Sequence, residues 1–440
     1  MLKFRGGVHP PEHKEETEHK PVEALPLPPR VWVPMSQHIG APAQPVVEKG
    51  TTVRTGTVIG EPQGRVSVPV HAPLSGTVAE VAERPHPLSG SRVLTVVIDS
   101  DGRDTPDASI AERPTEGLSP ASLIEAIRAA GVVGMGGATF PTYFKLSPPR
   151  EKPIDTLIIN GCECEPFLTA DHRLMLEAPA EIVEGTGFIA RALGVERVVI
   201  AIEDNKPDAI ETMSRAAAGT GFVVRCLRTR YPQGAEKQLI YTIVGRKVPP
   251  QSQRGLPMDV GVVVQNVGTA VAVRDAVRFN RPLFERITTV TGPAVAEPKN
   301  LRVRVGTPLR ALIDFCGGYR GEPAKLVVGG PLMGIAVAAD DAPVLKGTSG
   351  VLVLDARSAA RLEDRDCIRC GACVRACPMG LLPLRLSNHA RARRFDAARR
   401  DHVLDCIECG CCAYACPAKI RLVHNIKFAK AEVLAREKRK

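Results

Sequence analysis

The sequence predicts a multidomain α/β plus β protein that ends in a helical, cysteine-rich segment. Residues 119–284 alternate helical periods with buried strand runs, the pattern of an α/β layer. Short β-branched runs split by Gly and Pro flank that region on both sides. The last 80 residues hold nine of the 13 cysteines. A length of 440 residues gives a soft expectation of roughly three domains. The 44% hydrophobic and 24% charged content excludes disorder and collagen.

Taken in order, residues 1–30 are rich in Pro, Glu, Lys and His and read as an extended arm with little core of its own. Residues 31–102 carry the runs Val46-Val47, Thr57-Val58-Ile59, Val66 to Val70, Thr77-Val78 and Val93 to Ile98, a small all-β unit. Its segments Glu48 to Gly60 and Ala72 to Val78 resemble a lipoyl/biotinyl-type β-sandwich. Such carriers display a modifiable Lys between these halves, and here Glu61 to His71 contains none, so a structural role is expected. Residues 103–118 read as a linker. In 119–284, strands are expected at Thr156–Ile159, Arg197–Ile202, Phe222–Cys226 and Gly261–Gln265. Helices are expected at Ser119–Ala130, Ala178–Leu193 and Gly234–Val244. Residues 285–355 return to short strands around a helix at Leu309–Cys316 and resemble a soluble-ligand-binding β-grasp module. Residues 356–440 form the helical segment with a basic tail.

The longest charge-free apolar stretches, Val260–Val273 and Leu326–Ala339, fall short of the roughly 20 residues of a membrane span. The N-terminus lacks the apolar core of a signal peptide. A cytosolic chain is expected, in which cysteines serve as metal ligands before disulfides.

One motif occurs twice: Cys367-x2-Cys370-x2-Cys373-x3-Cys377-Pro378 and Cys406-x2-Cys409-x2-Cys412-x3-Cys416-Pro417. This is the bacterial ferredoxin spacing for [4Fe–4S] clusters. Three thiolates in one tight loop reach three corners of a cube, and the fourth arrives from outside. In two-cluster proteins the fourth Cys of each run serves the other cluster. Cys367, Cys370, Cys373 and Cys416 are therefore assigned to one cluster, and Cys406, Cys409, Cys412 and Cys377 to the other. Zinc sites favour Cys pairs with long spacers. Cys411 breaks the spacing and is read as a non-ligand.

The segment Gly131 to Lys145 is a glycine-rich loop after a helix. Its glycines let backbone amides approach a phosphate, and Lys145 can add charge. It fails the G-x-G-x-x-G pattern at the third glycine. The segment Asn160-Gly161-Cys162-Glu163-Cys164-Glu165-Pro166 follows a strand, where α/β sheets bind ligands. Its carboxylates suit hydroxyls or amides and repel a phosphate.

These two segments, with Tyr231-Pro232-Gln233-Gly234-Ala235-Glu236-Lys237 and Val264-Gln265-Asn266-Val267-Gly268-Thr269, resemble the FMN- and NADH-binding subunit of respiratory complex I. The runs Phe4-Arg5-Gly6-Gly7-Val8-His9-Pro10-Pro11, Leu25-Pro26-Leu27-Pro28 and Ser36-Gln37-His38-Ile39-Gly40-Ala41-Pro42 sharpen the match. With the double cysteine motif, residues 2–430 resemble the RnfC family of Rnf electron-transport complexes.

The resemblance implies an FMN held by Gly134, Gly136, Lys145, Asn160 and Glu163, and by Tyr231, Glu236, Gln265, Asn266 and Thr269. It implies NADH stacked on the flavin with Glu165 and Phe140 in contact. The chain departs from the complex I pattern at Cys162 for Asp, Cys164 for Ser, Ala235 for Glu and Gln265 for Asn. No protein acid or base is expected in the hydride step. It further implies a peripheral subunit on the cytoplasmic side of the inner membrane, passing single electrons to a partner iron–sulfur subunit of a complex that couples NADH–ferredoxin electron transfer to ion translocation. A soluble flavin and iron–sulfur reductase, such as a cobalamin reductase, is the alternative enzyme. A non-enzymatic adaptor with structural clusters is the other.

The net charge of +10 is concentrated in residues 361–440, where 18 Lys and Arg meet 9 Asp and Glu. Arg391, Arg393, Arg394, Arg399 and Arg400 lie between the motifs, and Lys427, Lys430, Arg436, Lys438, Arg439 and Lys440 close the chain. With only 4% aromatics a nucleic-acid stacking platform is not expected. A solvated face, or docking to an acidic partner or anionic headgroups, accounts for the charge.

Overall fold

The computed structural model describes residues 2–253, 255–360 and 363–438; Arg439 and Lys440 of the basic tail lie outside it. The first β unit is two facing sheets. One is antiparallel in the order Thr52–Val53, Gly76–Pro85, Arg92–Ser100, Arg30–Pro34, and the other joins Gln44–Pro45, Val58–Glu61 and Val70–His71. Alternate residues Val31, Val33, Ile59, Val78, Val96 and Ile98 point inward and form its core. The segment where a carrier would show its lysine is not free. Val68 is fully buried in the core of the central domain, and the Arg65 carbonyl accepts from the Tyr143 hydroxyl.

The central domain is a four-stranded parallel sheet in the order Val223–Leu227, Arg197–Glu203, Thr156–Asn160, Val262–Asn266. Both faces are covered, as parallel sheets require. Leu157 and Ile159 pack under helices Pro120–Ala129, Pro179–Leu193 and Val267–Phe279, while Ile158 faces helix Glu236–Val244. Ser119 caps the first of these helices through the Ser122 N–H, with Pro120 as its opening residue. The strand order reverses direction at Thr156–Asn160, so a crevice opens between its C-terminal end and that of Val262–Asn266.

The β-grasp unit is a six-stranded sheet backed by helix Leu309–Phe315. Its edge strand was not foreseen. Val22–Ala24 of the N-terminal arm pairs in parallel with Lys299–Arg304, and Phe4, Val8, Lys14 and Thr17 are buried. The arm has no core of its own, but it serves those of its neighbours. The linker stays irregular yet is tied down, with Arg113 donating to the Val277 and Ala276 carbonyls. The C-terminal segment packs Pro383–Arg391 and Phe395–Arg400 against Leu422–Lys438 through Leu386, Phe395, Ile426 and Val433.

Candidate functional site

The crevice at the strand reversal gathers most of the expected flavin residues. Asn160 and Asn266 sit side by side at the ends of adjacent parallel strands. The Asn160 amide donates to the Gly234 carbonyl at 2.9 Å and its oxygen accepts from the Cys162 N–H at 3.1 Å. Asn266 caps helix Val267–Phe279 by accepting from the Gly268 N–H at 2.8 Å. The glycine loop closes on itself through the Gly134 N–H and the Phe140 carbonyl, and Thr269 accepts from the Met135 N–H at 3.0 Å. The loop lies so close to the cap that a Cβ on Gly136 would fall 2.9 Å from the Asn266 amide nitrogen. Gly136, Gly137 and Ala138 are exposed at the mouth. Lys145 donates to Glu236 at 2.9 Å and to the Val264 carbonyl at 3.3 Å. Phe140 stands edge-on to Phe144, with ring centroids 5.5 Å apart.

These residues fit a flavin mononucleotide. The Gln265 side chain is buried, and its amide nitrogen has no hydrogen-bond partner among the described residues, a donor that a bound polar ring would satisfy. The glycine loop and the free amides of a helix N-terminus suit the phosphate.

The two expected carboxylates each accept hydrogen bonds from the protein's own backbone. Glu163 accepts from the Asp171 and His172 N–H groups at 2.7 and 3.1 Å, so it caps helix Ala170–Glu177 from outside the helix. Glu165 accepts from the Tyr231 hydroxyl at 3.2 Å and from the Leu332 and Met333 N–H groups at 3.0 and 2.9 Å. It clamps the crevice loop to the β-grasp unit, and burial pushes its carboxyl upward. Both of its oxygens accept hydrogen bonds from the protein. Cys162 and Cys164 are packing residues whose thiols burial raises. Asp171 was missed. It accepts from the Asn266 amide at 2.6 Å, and burial raises it, then the Glu163 charge. It stands in the first turn of helix Ala170–Glu177, and the packing of that turn against Asn266 brings it to the site, so no motif could have shown it. A cavity of about 240 Å³ opens beside it, with Arg286 buried in its wall.

The cysteine motifs repeat in their backbones as well as their letters. Arg369 and Glu408 are left-handed at the same place in each loop, as are Gly371 and Gly410, and Gly380 and Lys419. Each loop leads into a short helix, Ala372–Ala376 and Cys411–Tyr414. Backbone N–H groups of Arg369, Leu381 and Glu408 point at the sulfurs of Cys367, Cys377 and Cys406, each at 3.4 Å. Donors aimed at sulfur are what thiolate ligands need. Cys377 lines one apolar pocket with Cys406, Cys409 and Cys412; this is the inner set. Cys373 packs against Cys416, and with Cys367 and Cys370 these are the residues expected to hold the other cluster, the outer set. Burial lifts Cys406 to about 11, a cost that a cationic iron core would offset. Among the described residues no such group closes tightly enough for a single metal ion. Four thiols lining one pocket suit a cubane.

The inner set touches the crevice. Val8, Tyr231, Ala376, Cys409 and Cys411 form one buried cluster, with Cys164 and Leu332 against it. The Cys411 thiol donates to the Tyr231 carbonyl at 3.9 Å, and the Gln238 amide of helix Glu236–Val244 reaches the Met379 sulfur at 3.3 Å. The outer set is the exposed one, with Cys367 and Cys370 at the surface and Ile368 70% exposed.

Comparison with known proteins agrees in order and extent. Residues 2–103 match the model of the RnfC barrel sandwich hybrid domain, 127–275 the Nuo51 FMN-binding domain, 287–336 the SLBB domain and 366–420 the 4Fe-4S dicluster domain. The chain is 48% identical to the C subunit of the proton-translocating ferredoxin:NAD(+) oxidoreductase complex of Clostridium ljungdahlii, over 98% of this chain and 94% of the relative. It is 47% identical to the corresponding subunit of the Na(+)-translocating ferredoxin:NAD(+) oxidoreductase complex of Acetobacterium woodii, over 99% and 98%. Among solved structures, an NAD+-reducing [NiFe]-hydrogenase in the air-oxidized state aligns with a TM-score of 0.51 at 20% identity, covering 73% of this chain and 67% of that one, a likeness of fold.

Proposed function

The chain belongs to the RnfC family of ion-translocating ferredoxin:NAD(+) oxidoreductase complexes, and from that premise we propose that it is the peripheral NADH-side electron-input subunit of such a complex. FMN in the crevice would take the two electrons of a hydride and release them singly to iron–sulfur acceptors. The glycine loop, Asn266 and Thr269 hold the phosphate end. Asn160, Gln265 and the Lys145–Glu236 pair orient the ring system. Phe140 at the mouth offers a stacking face to the nicotinamide. Tyr231 serves from behind, where its loop touches the inner cysteine set. No side chain is needed as acid or base.

The observation that carries this reading is the serial arrangement. An open crevice is followed by a buried inner set against its back wall, and then by an outer set at the surface. Arg365, Arg369 and Arg375 are exposed at this loop beside Glu363, Asp364 and Asp366, with Arg421 paired to Asp364, a mixed charged surface that suits a charged electron-carrying partner, an iron–sulfur subunit of the same complex. No helix among the described residues is long and apolar enough to cross a membrane. In this reading the ion pathway belongs to other subunits, and this one sits on the cytoplasmic side where NADH is found.

The test is anaerobic addition of NADH to the purified chain carrying FMN and clusters. Prompt bleaching of the flavin absorbance is expected. A flavin that stays oxidised under NADH removes the NADH-side role.

A further inference from the structure

We propose that the N-terminal strap Phe4–Val8 is a positioning element that holds the back wall of the crevice against the inner cysteine set and so sets the rate of electron transfer between them. This deepens the proposed function and rests on it.

The strap binds both sides through its main chain. Val8 and Tyr231 form an antiparallel bridge, with Val8 N–H to the Tyr231 carbonyl at 2.9 Å and the reverse at 3.0 Å. One residue earlier, the Gly7 N–H donates to the Ala376 carbonyl at 2.9 Å. Gly6 has a φ of +75°, and a Cβ there would lie 2.5 Å from the Cys377 carbonyl oxygen and 2.6 Å from its carbon. Only glycine allows that approach. The near end is pinned by Arg230, which donates to the Phe4 carbonyl at 3.2 Å and lies 5.1 Å from the centre of its ring.

The place of contact gives the strap its role. Cys377 is the inner-set ligand that comes from outside the Cys406–Cys412 loop, so the position of its backbone helps fix where that set sits. Tyr231 and Arg230 belong to the crevice wall. A five-residue segment bonded to both through its main chain ties them together more firmly than the direct Cys411–Tyr231 and Gln238–Met379 contacts alone. The step it governs is the transfer of one electron from reduced flavin to the oxidised inner cluster, with no atoms exchanged.

The test compares Gly6→Ala, the milder Arg230→Lys and the control Gly50→Ala in the full chain with its cofactors. Gly50 has a similar positive φ but nothing within 4 Å of a Cβ. Electrons enter by photoreduction of the flavin, so the comparison stands whether or not NADH is the donor. Inner-cluster reduction is followed by freeze-quench EPR alongside iron content. The expected result is wild-type iron and flavin reduction, with cluster reduction slowed about tenfold in Gly6→Ala, a barrier change of ~1.4 kcal/mol. A smaller slowing is expected in Arg230→Lys and none in Gly50→Ala. If Gly6→Ala loses iron, Arg230→Lys decides. Cluster reduction at the wild-type rate in an iron-replete strap variant, or equal slowing in Gly50→Ala, overturns the proposal.

Discussion

Glu163 shows how far a residue's type and its use can diverge. In the sequence it is a carboxylate in a polar loop after a strand, which reads as a ligand contact. In the fold its carboxylate accepts from two N–H groups at the start of helix Ala170–Glu177, and the Lys14 ammonium donates to the Glu163 backbone carbonyl at 2.7 Å. The positive φ of 46° at Glu163 turns its side chain back toward that helix. Glu163→Ala is therefore expected to lower stability by about 1–2 kcal/mol, in the range of a lost helix cap, with FMN affinity changed little. Denaturant unfolding and a flavin titration measure both, and a variant of unchanged stability that loses FMN would restore the direct contact. Residue types and spacings were enough to read the cysteine motifs, because a cubane demands four thiolates and little else. They do not show that Glu163 and Glu165 accept from backbone amides or that Asp171 reaches Asn266, since a carboxylate looks the same whether it meets a ligand or an amide.

Elements were legible where periodicity is strong. Strand Thr156–Asn160 and helix Pro179–Leu193 lie within a residue or so of their expected bounds, because burial on both faces of a parallel sheet leaves continuous apolar runs. Strand Val22–Ala24 was invisible, since three residues of mixed polarity carry no period and their pairing depends on a partner some 280 residues away. The junction between sandwich, central domain and β-grasp unit was equally hidden. There Lys346 is fully buried, donating to the Gly131 and Pro69 carbonyls at 2.7 and 3.3 Å, and burial lowers it to about 7. His71 nearby is also depressed, to about 3, by burial and then by Lys346. The unfolded lysine binds its proton up to about 10.5, the folded one only to about 7. The unfolded state thus holds more protons across that window, and stability rises with pH there. The melting temperature of the native chain is expected to climb relative to Lys346→Met between pH 7 and 10. Parallel pH profiles of the two would contradict a buried, proton-losing lysine.

At the scale of the whole molecule, the four units are arranged around one route. The order of units along the chain was readable, since each has its own pattern. Their mutual placement was not, because the contacts that fix it are single residues in loops: Glu165 on the β-grasp loop, Val8 on Tyr231, Val68 in the central core. That placement sets the inner cysteine set against the crevice wall, and the proposed function reads it as a serial electron route. The most direct measurement is EPR and iron analysis of Cys377→Ala after NADH, with dithionite as the reference reductant. The serial, crossed arrangement predicts loss of the inner cluster only. The flavin still bleaches, and the outer cluster is reduced by dithionite but no longer by NADH. Reduction of the outer cluster by NADH at the native rate, or loss of the outer cluster in place of the inner one, would contradict it.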